Sequence, residues 1–194
     1  MLESLMFHKN RYMKLKFLVF SVLFLGVVYS STAQTRFSNR KMLSLMNMAR
    51  ADGKKFLDSI VYPYLKENNI EKTSYVRSLI STLKKTKGVQ PLKLDKELNQ
   101  TAKAWAVESG KRGEKGHRNI KKRLYKLNRG SMAENCTYGA DSDLEAIMDL
   151  LIDEGIRSLG HRKSILNPTY KFIGMGSSTH KVYGTCVVQN FASR

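Results

Sequence analysis

Two cysteines, Cys136 and Cys186, are all that the 194 residues contain. A disulfide-dense scaffold is therefore excluded, and an apolar core has to hold the fold together. The pair allows one bridge, or two small buried side chains on neighbouring strands. Nucleophile motifs are missing: there is no Gly-x-Ser-x-Gly, and no cysteine is placed beside a histidine by motif. Zinc-finger spacing and His-Glu-x-x-His are missing too. No internal repeat or low-complexity tract occurs. Acidic residues are scarce, 16 against 34 Lys and Arg, which leaves a net charge of +18. Such a balance favours acidic partners such as anionic lipid, an acidic polymer or nucleic acid; the plainer reading is a lysine-rich solvated surface. No glycine-rich aromatic motif for nucleic acid accompanies the charge.

The one long apolar run, Phe17 to Tyr29, falls short of the roughly 20 residues that span a bilayer. Lys14 and Lys16 precede it, and Ser30-Ser31-Thr32-Ala33 follows. A basic start, a short apolar segment and a small-residue exit describe a secretory signal peptide over 1–33, cut after Ala33, with Met13 an alternative start. An uncleaved membrane anchor is the competing reading. Lys9, Arg11, Lys14 and Lys16 against Glu3 give the leader +3 of the +18, leaving +15 for a single domain over 34–194. That length suffices for a core of its own.

What is present in concentrated form lies between Gly116 and Arg162. Gly116-His117-Arg118 opens this stretch and Gly160-His161-Arg162 closes it, so two of the four histidines sit in the same tripeptide. Glu134 and Glu154 lie between them. Imidazole is the commonest protein ligand for zinc-like cations, and carboxylate is a further ligand or a base for bound water. The four side chains meeting in one cleft would make a metal or acid/base site. Spacing alone does not bring them together.

Periodicity supplies the elements around this stretch. Ser38 is an N-cap for a first helix with Met42, Leu45, Met46 and Ala49 at helical spacing. Phe56 to Glu67 predicts a helix broken at Tyr62-Pro63. Thr73 to Lys87 predicts another, with Val76, Leu79, Ile80 and Leu83 on one face. Asp95 caps a helix that buries Leu98, Ala102, Trp105, Ala106 and Ser109 and ends near Gly110 and Gly113. A short basic helix over 119–127 carries Lys121, Lys122, Arg123 and Lys126. Met132 to Tyr138 predicts the first strand, with Glu134 and Cys136 on one face by the two-residue repeat. A helix over 141–156 carries Glu154 near its end. An antiparallel pair, Tyr170 to Ser178 and Val182 to Phe191, closes the chain.

Several segments resemble a known family. Ala133-Glu134-Asn135 resembles the Gly-Glu-Asn motif of the CAP superfamily, which includes cysteine-rich secretory proteins, venom antigens and plant pathogenesis-related proteins. Leu150 to Glu154 resembles its Trp-x-x-Glu segment, and Gly160-His161-Arg162 its Gly-His motif. Asn47-Met48-Ala49-Arg50 resembles its Asn-x-x-Arg, and Pro91 to Asp95 its Pro-Leu-x-x-Asp. The run from Leu151 to Arg162 is most similar to the bacterial SCP-like branch. The likeness covers roughly Lys41 to Phe191, with a helical insertion around 54–90. Ala133 stands where the family has Gly, and Leu151 where many members have Trp.

The resemblance implies an α+β fold, a three-layer α/β/α sandwich around a small antiparallel sheet. It implies a secreted, periplasmic or cell-surface binding scaffold whose ligand is a lipid, a sterol or an acidic partner. It implies an open site in which His117 and His161 hold zinc or another divalent cation while Glu134 and Glu154 orient water. Such a site loses its metal below about pH 6.5, where free imidazole gains a proton. Two alternatives stay open: metal- or carboxylate-assisted hydrolysis by Glu134 and Glu154, and a buried hydrogen-bond network with no ligand at all.

Overall fold

The computed structural model describes residues 37–194, so the leader lies outside the described residues. Helix α1 spans Asn39–Ala51 and starts where Ser38 Oγ accepts from Lys41 N. Its buried stripe is Met42, Met46, Ala49 and, unusually, Arg50. Then come α2 (Gly53–Phe56), a π-helical turn (Leu57–Val61) and α3 (Tyr62–Glu67) in one continuous run. The break expected at Tyr62-Pro63 does not occur. Pro63 has no N–H and crowds the carbonyl four residues earlier, and the wider turn just before it absorbs both effects. Helix α4 (Ser74–Lys85) is capped by Thr73 and buries Val76, Leu79 and Leu83.

Helix α5 (Lys96–Arg112) begins at the Asp95 cap and runs past Gly110 to Gly113, which takes a left-handed conformation at φ 71°. Helix α6 (Ile120–Tyr125), α7 (Asp143–Ile152) and α8 (Gly160–Leu166) complete the helices. The sheet has the order β1-β3-β4-β2, with β1 Lys93–Leu94, β2 Met132–Tyr138, β3 Phe172–His180 and β4 Gly184–Ala192. Strands β2, β4 and β3 are antiparallel, as the alternation predicts. The two-residue β1 was not expected, and it pairs parallel to β3.

The sheet is covered on both faces. Trp105, Ala102 and Ala106 of α5 pack with Cys136, Cys186 and Val188 on one face. The other face meets α1, α7 and α8 through Met42, Met46, Ile147, Leu151, Met175, Val187 and Phe191. Alternating side chains along β2 and β4 therefore enter two different cores, and a period of two separates them. Small residues set the distance of α5. A Cβ on Gly174 would lie 2.0 Å from Leu98 C, and one on Gly176 would lie 2.3 Å from Lys103 Cα. Only glycine lets this helix sit directly on β3.

Buried arginines knit the helical layer. Arg50 donates from Nε and Nη2 to Gln90 O, from Nη1 to Ile165 O and Asn167 O, and from Nη2 to Tyr170 O, at 2.7–3.0 Å. Asn47 pairs with both backbone groups of Leu92. Arg162 bonds Leu151 O, Ile152 O, Tyr75 O and Ser78 Oγ. The insertion around 54–90 thus has a definite contact. Its helix α4 holds the arginine that follows His161.

Candidate functional site

His117 sits on the loop after α5, and the loop is held by its neighbour. Trp105 Nε1 donates to Gly116 O at 3.1 Å, and Gly116 N donates to Tyr138 Oη at 2.8 Å. Gly116 has φ 92°, a left-handed value that favours glycine. The held loop directs His117 Nδ1 at Glu134 Oε1, 3.1 Å away. Glu134 comes from β2, and its side chain has no exposed surface. Arg123 of α6 grips both carboxylate oxygens, at 2.5 and 2.8 Å, and its guanidinium lies 4.4 Å from the Trp105 ring centroid.

Burial raises the Glu134 carboxyl, but the hydrogen bonds from Arg123 and His117 outweigh it and hold the group below its usual range. The lowered value stabilises the fold above the ordinary carboxylate range and is lost as pH falls through the group's folded value. Arg123 is therefore a clamp on the site rather than part of a solvated basic face. Lys121, Lys122 and Lys126, grouped with it by the sequence, remain outside this network.

His161 stands in the first turn of α8, and its Nδ1 lies 2.7 Å from Asp153 Oδ1. Asp153 Oδ2 accepts from the backbone N–H of both His161 and Arg162. This acid is the neighbour of the one read from the sequence. Helix α7 ends at Ile152 rather than 156, because Asp153 adopts φ 60° and turns the chain. Asp153 is buried beneath the start of α8, whereas Glu154 is thrown outward and accepts from Thr73 Oγ1 at 2.7 Å. Glu154 lies on the cleft rim and does not complete a tetrad with the two histidines. Asn135 Nδ2 donates to His161 O and ties α8 to β2.

The two imidazoles face one another with ring centroids 6.5 Å apart and a 46° tilt. Each offers Nδ1 to a carboxylate. A carboxylate only accepts, so Nδ1 carries the hydrogen and Nε2 keeps its lone pair. Carboxylate–imidazole pairs of this kind are the usual outer support of metal-binding histidines.

A second donor set overlaps the first: His117, Glu134 and Cys136 bring ligand atoms within 4.8 Å of one another and could hold a metal ion. Cys136 Sγ is 3.8 Å from His117 Nδ1 and 3.9 Å from Glu134 Oε1. Burial, then the Glu134 charge, pushes its thiol well above the ordinary value, which removes the thiolate a cysteine nucleophile needs. Cys136 and Cys186 are both free and buried, so the bridge is not made. Cys186 pairs with Tyr138 and Cys136 with Val188, a diagonal placement on adjacent strands.

Beside His161 opens a cleft of about 260 Å³, lined by Cys136, Thr137, Tyr138, Asp149, Asp153 and Tyr183 among others, while His117 and Glu134 lie outside its lining. A larger hollow of about 870 Å³ lies elsewhere, by Asn39, Asn99, Lys103 and Met175, and contains neither histidine. Its polar groups do not converge on an acid or base, so the smaller cleft is the candidate site. Among the described residues no helix is long and apolar enough to cross a membrane.

A family model described as the cysteine-rich secretory protein family, CAP, matches residues 43–191. No curated protein matches the chain. Among solved structures, the chain resembles Schistosoma mansoni venom allergen-like protein 4, at 16% identity and TM-score 0.52, over 79% of this chain and 86% of that one. An extracellular SCP-domain protein from Bacillus anthracis matches at 17% identity and TM-score 0.48, over 80% of this chain. This chain spans only 40% of that protein's length. An outer surface protein of Borrelia burgdorferi matches at 19% identity and TM-score 0.47, over 64% of this chain and 96% of that one. The schistosome likeness is one of fold.

Proposed function

The chain belongs to the cysteine-rich secretory protein family, and from that premise we propose that it is an exported binding scaffold that holds a divalent cation between His117 and His161, at the end of its cleft. The observation that carries this reading is the pair of imidazoles, each fixed through Nδ1 by a carboxylate, with centroids 6.5 Å apart. Glu134 and Asp153 fix ring orientation and tautomer, and the two Nε2 atoms are the ligands. Two protein ligands are fewer than the three of a typical catalytic zinc site, so the cation is held loosely and exchangeably. A bound cation polarises a ligand oxygen or acidifies water. The set of His117, Glu134 and Cys136 is less favoured, because a cation there would displace the His117 contact and sit beside Arg123.

A hydrolase reading has little to draw on. Glu134 is consumed by Arg123 and His117, and Asp153 by His161 and two backbone N–H groups, while Glu154 stands exposed at the rim with one bond from Thr73. Neither buried acid is a free general base.

Calorimetric zinc titration tests the cation directly. Wild-type protein is expected to bind one zinc, more weakly as pH falls, because a protonated imidazole cannot ligate. His117→Ala is expected to weaken binding by at least about tenfold. Its melting temperature should change little, since the side chain is 42% exposed and Arg123 still satisfies Glu134. Absence of zinc binding in the wild type, with a large loss of stability in the variant, would leave only a structural network.

The net charge, +18 for the full chain and +15 without the leader, supports a second expectation, attraction to anionic lipid or polymer surfaces. Replacing Lys121, Lys122 and Lys126 by Gln, and sparing Arg123, tests whether α6 is the contact. Binding to phosphatidylserine vesicles should weaken in the variant and fall steeply with salt in the wild type. Equal binding by both proteins would make α6 a solvated face.

A further inference from the structure

Strand β2 is an edge of the sheet, and the cleft beside His161 runs along it. The phase of the ladder follows from two bonds at its ends. Ser193 N donates to Ser131 O, and Gly139 N donates to Thr185 O. In the same register Ala133, Asn135 and Thr137 face β4 with their N–H and C=O groups. The N–H and C=O groups of Glu134, Cys136 and Tyr138 therefore point away from the sheet. Toward Glu134, α8 packs beside this strand, and Asn135 Nδ2 bonds His161 O. Along Cys136, Thr137 and Tyr138 it opens into the cleft.

Four backbone groups, two donors and two acceptors, thus face this groove, in which Cys136 and Thr137 are each 7% exposed and Tyr138 is half-buried. Cys136 to Tyr138 covers about 7 Å of strand. Proteins usually blunt such an edge with lysine, proline or a bulge. β2 reads Met-Ala-Glu-Asn-Cys-Thr-Tyr and pairs without interruption over seven positions, so none of these devices is present.

We propose that this edge binds an extended, basic peptide segment as an added strand. The proposal rests on the reading of the cleft as the binding face, and not on the cation. Main-chain bonds to Cys136 and Tyr138 would supply affinity, and alternate side chains specificity. The charge of the walls selects the partner. Asp149 and Glu154 are carboxylates on the rim, Asp149 with its pKa raised to about 6 by burial and by Glu145 and so ionised at neutral pH, against Lys115 alone among the lysines and arginines of the lining; Asp153 behind them is paired with His161. A local acidic excess in a chain of net +18 favours a lysine or arginine side chain at this point. Ile156 and Tyr183, exposed to 41% and 39%, flank the groove and offer an apolar surface to the intervening side chain. The cleft volume of about 260 Å³ suits a few residues of extended chain; drug-sized ligands occupy about 300–1,000 Å³.

The test is nitrogen-15 NMR of the protein titrated with acetyl-Lys-Val-Lys-Val-amide. Three comparisons accompany it: the Glu-Val-Glu-Val counterpart, a Lys-Val-Lys-Val peptide N-methylated at both valines, and one N-methylated at both lysines. The amides of Cys136 and Tyr138 are expected to shift with the lysine peptide. One N-methylated form should bind about tenfold more weakly, the loss of one or two hydrogen bonds. Asp149→Asn should weaken the lysine peptide several-fold. Equal binding of all the lysine peptides, equal binding of the glutamate peptide, or shifts confined to other amides would overturn the proposal. Shifts at Cys136 and Tyr138 that grow with protein concentration alone would assign the edge to a second copy of the chain and overturn it equally. The titration is repeated with chelator. Peptide binding that survives it stands even if zinc binding fails, and zinc binding without peptide binding defeats this inference alone.

Discussion

Asp153→Ala is expected to lose about 3 kcal/mol of stability and at least about tenfold in zinc affinity, while Glu154→Ala changes neither appreciably. Asp153 is 2% exposed and makes three hydrogen bonds, to His161 Nδ1 and to the backbone N–H groups of His161 and Arg162. Its removal leaves two buried donors without an acceptor at the start of α8, and removes the charge that favours the Arg162 cation against burial. It also frees the His161 ring to rotate away from the cleft. Glu154 is exposed, and its one bond is to Thr73 at the surface. A loss of about 3 kcal/mol in a chain of this size lowers the melting temperature by about 6–12 °C. Thermal melts and zinc titration of the two variants side by side decide the matter. Equal behaviour, or a larger defect in Glu154→Ala, would restore the acid that the sequence pattern favours.

Arg50→Met should be at least as damaging, about 4 kcal/mol or more, with no direct effect on the histidines. The guanidinium is fully buried with no carboxylate beside it, and burial pushes it down to about 10. What keeps it there is four carbonyls, of Gln90, Ile165, Asn167 and Tyr170. Methionine fills much of the volume but leaves these acceptors unpaired, each at a cost of about 1–3 kcal/mol. Relief of the buried charge offsets part of that cost. Native domains hold only about 5–15 kcal/mol in total, so the variant should melt far below the wild type. Arg50→Lys should fall between them, since an ammonium cannot present the five-donor fork. Circular dichroism melts of the three proteins give the order. A methionine variant within about 1 kcal/mol of wild type would show that water can replace the guanidinium.

The sequence by itself determined more of the scaffold than of the site. Ser38 and Asp95 cap helices where the pattern put them, because a side-chain oxygen beside the first turn is a local interaction, and Thr73, read as the first residue of its helix, turns out to be its cap. The two-residue repeat put Glu134 and Cys136 on one face of β2, and the repeated Gly-His-Arg marked both histidines. The Asn-x-x-Arg resemblance pointed to Asn47 and Arg50, although not to what they hold. Tertiary structure alone decided which acids meet those histidines. A shift of one residue turns a side chain by about 100° on a helix, so spacing could not choose between Asp153 and Glu154. The choice was made by a left-handed residue at 153, stabilised by backbone N–H groups that α8 brings back from eight and nine residues ahead. Arg123 is a similar case, a lysine-like charge in sequence that becomes an inward clamp only when Trp105 and Glu134 are placed around it. The open edge of β2 is a third, because strand order is fixed by which segments pack together and by nothing within Met132–Tyr138 itself.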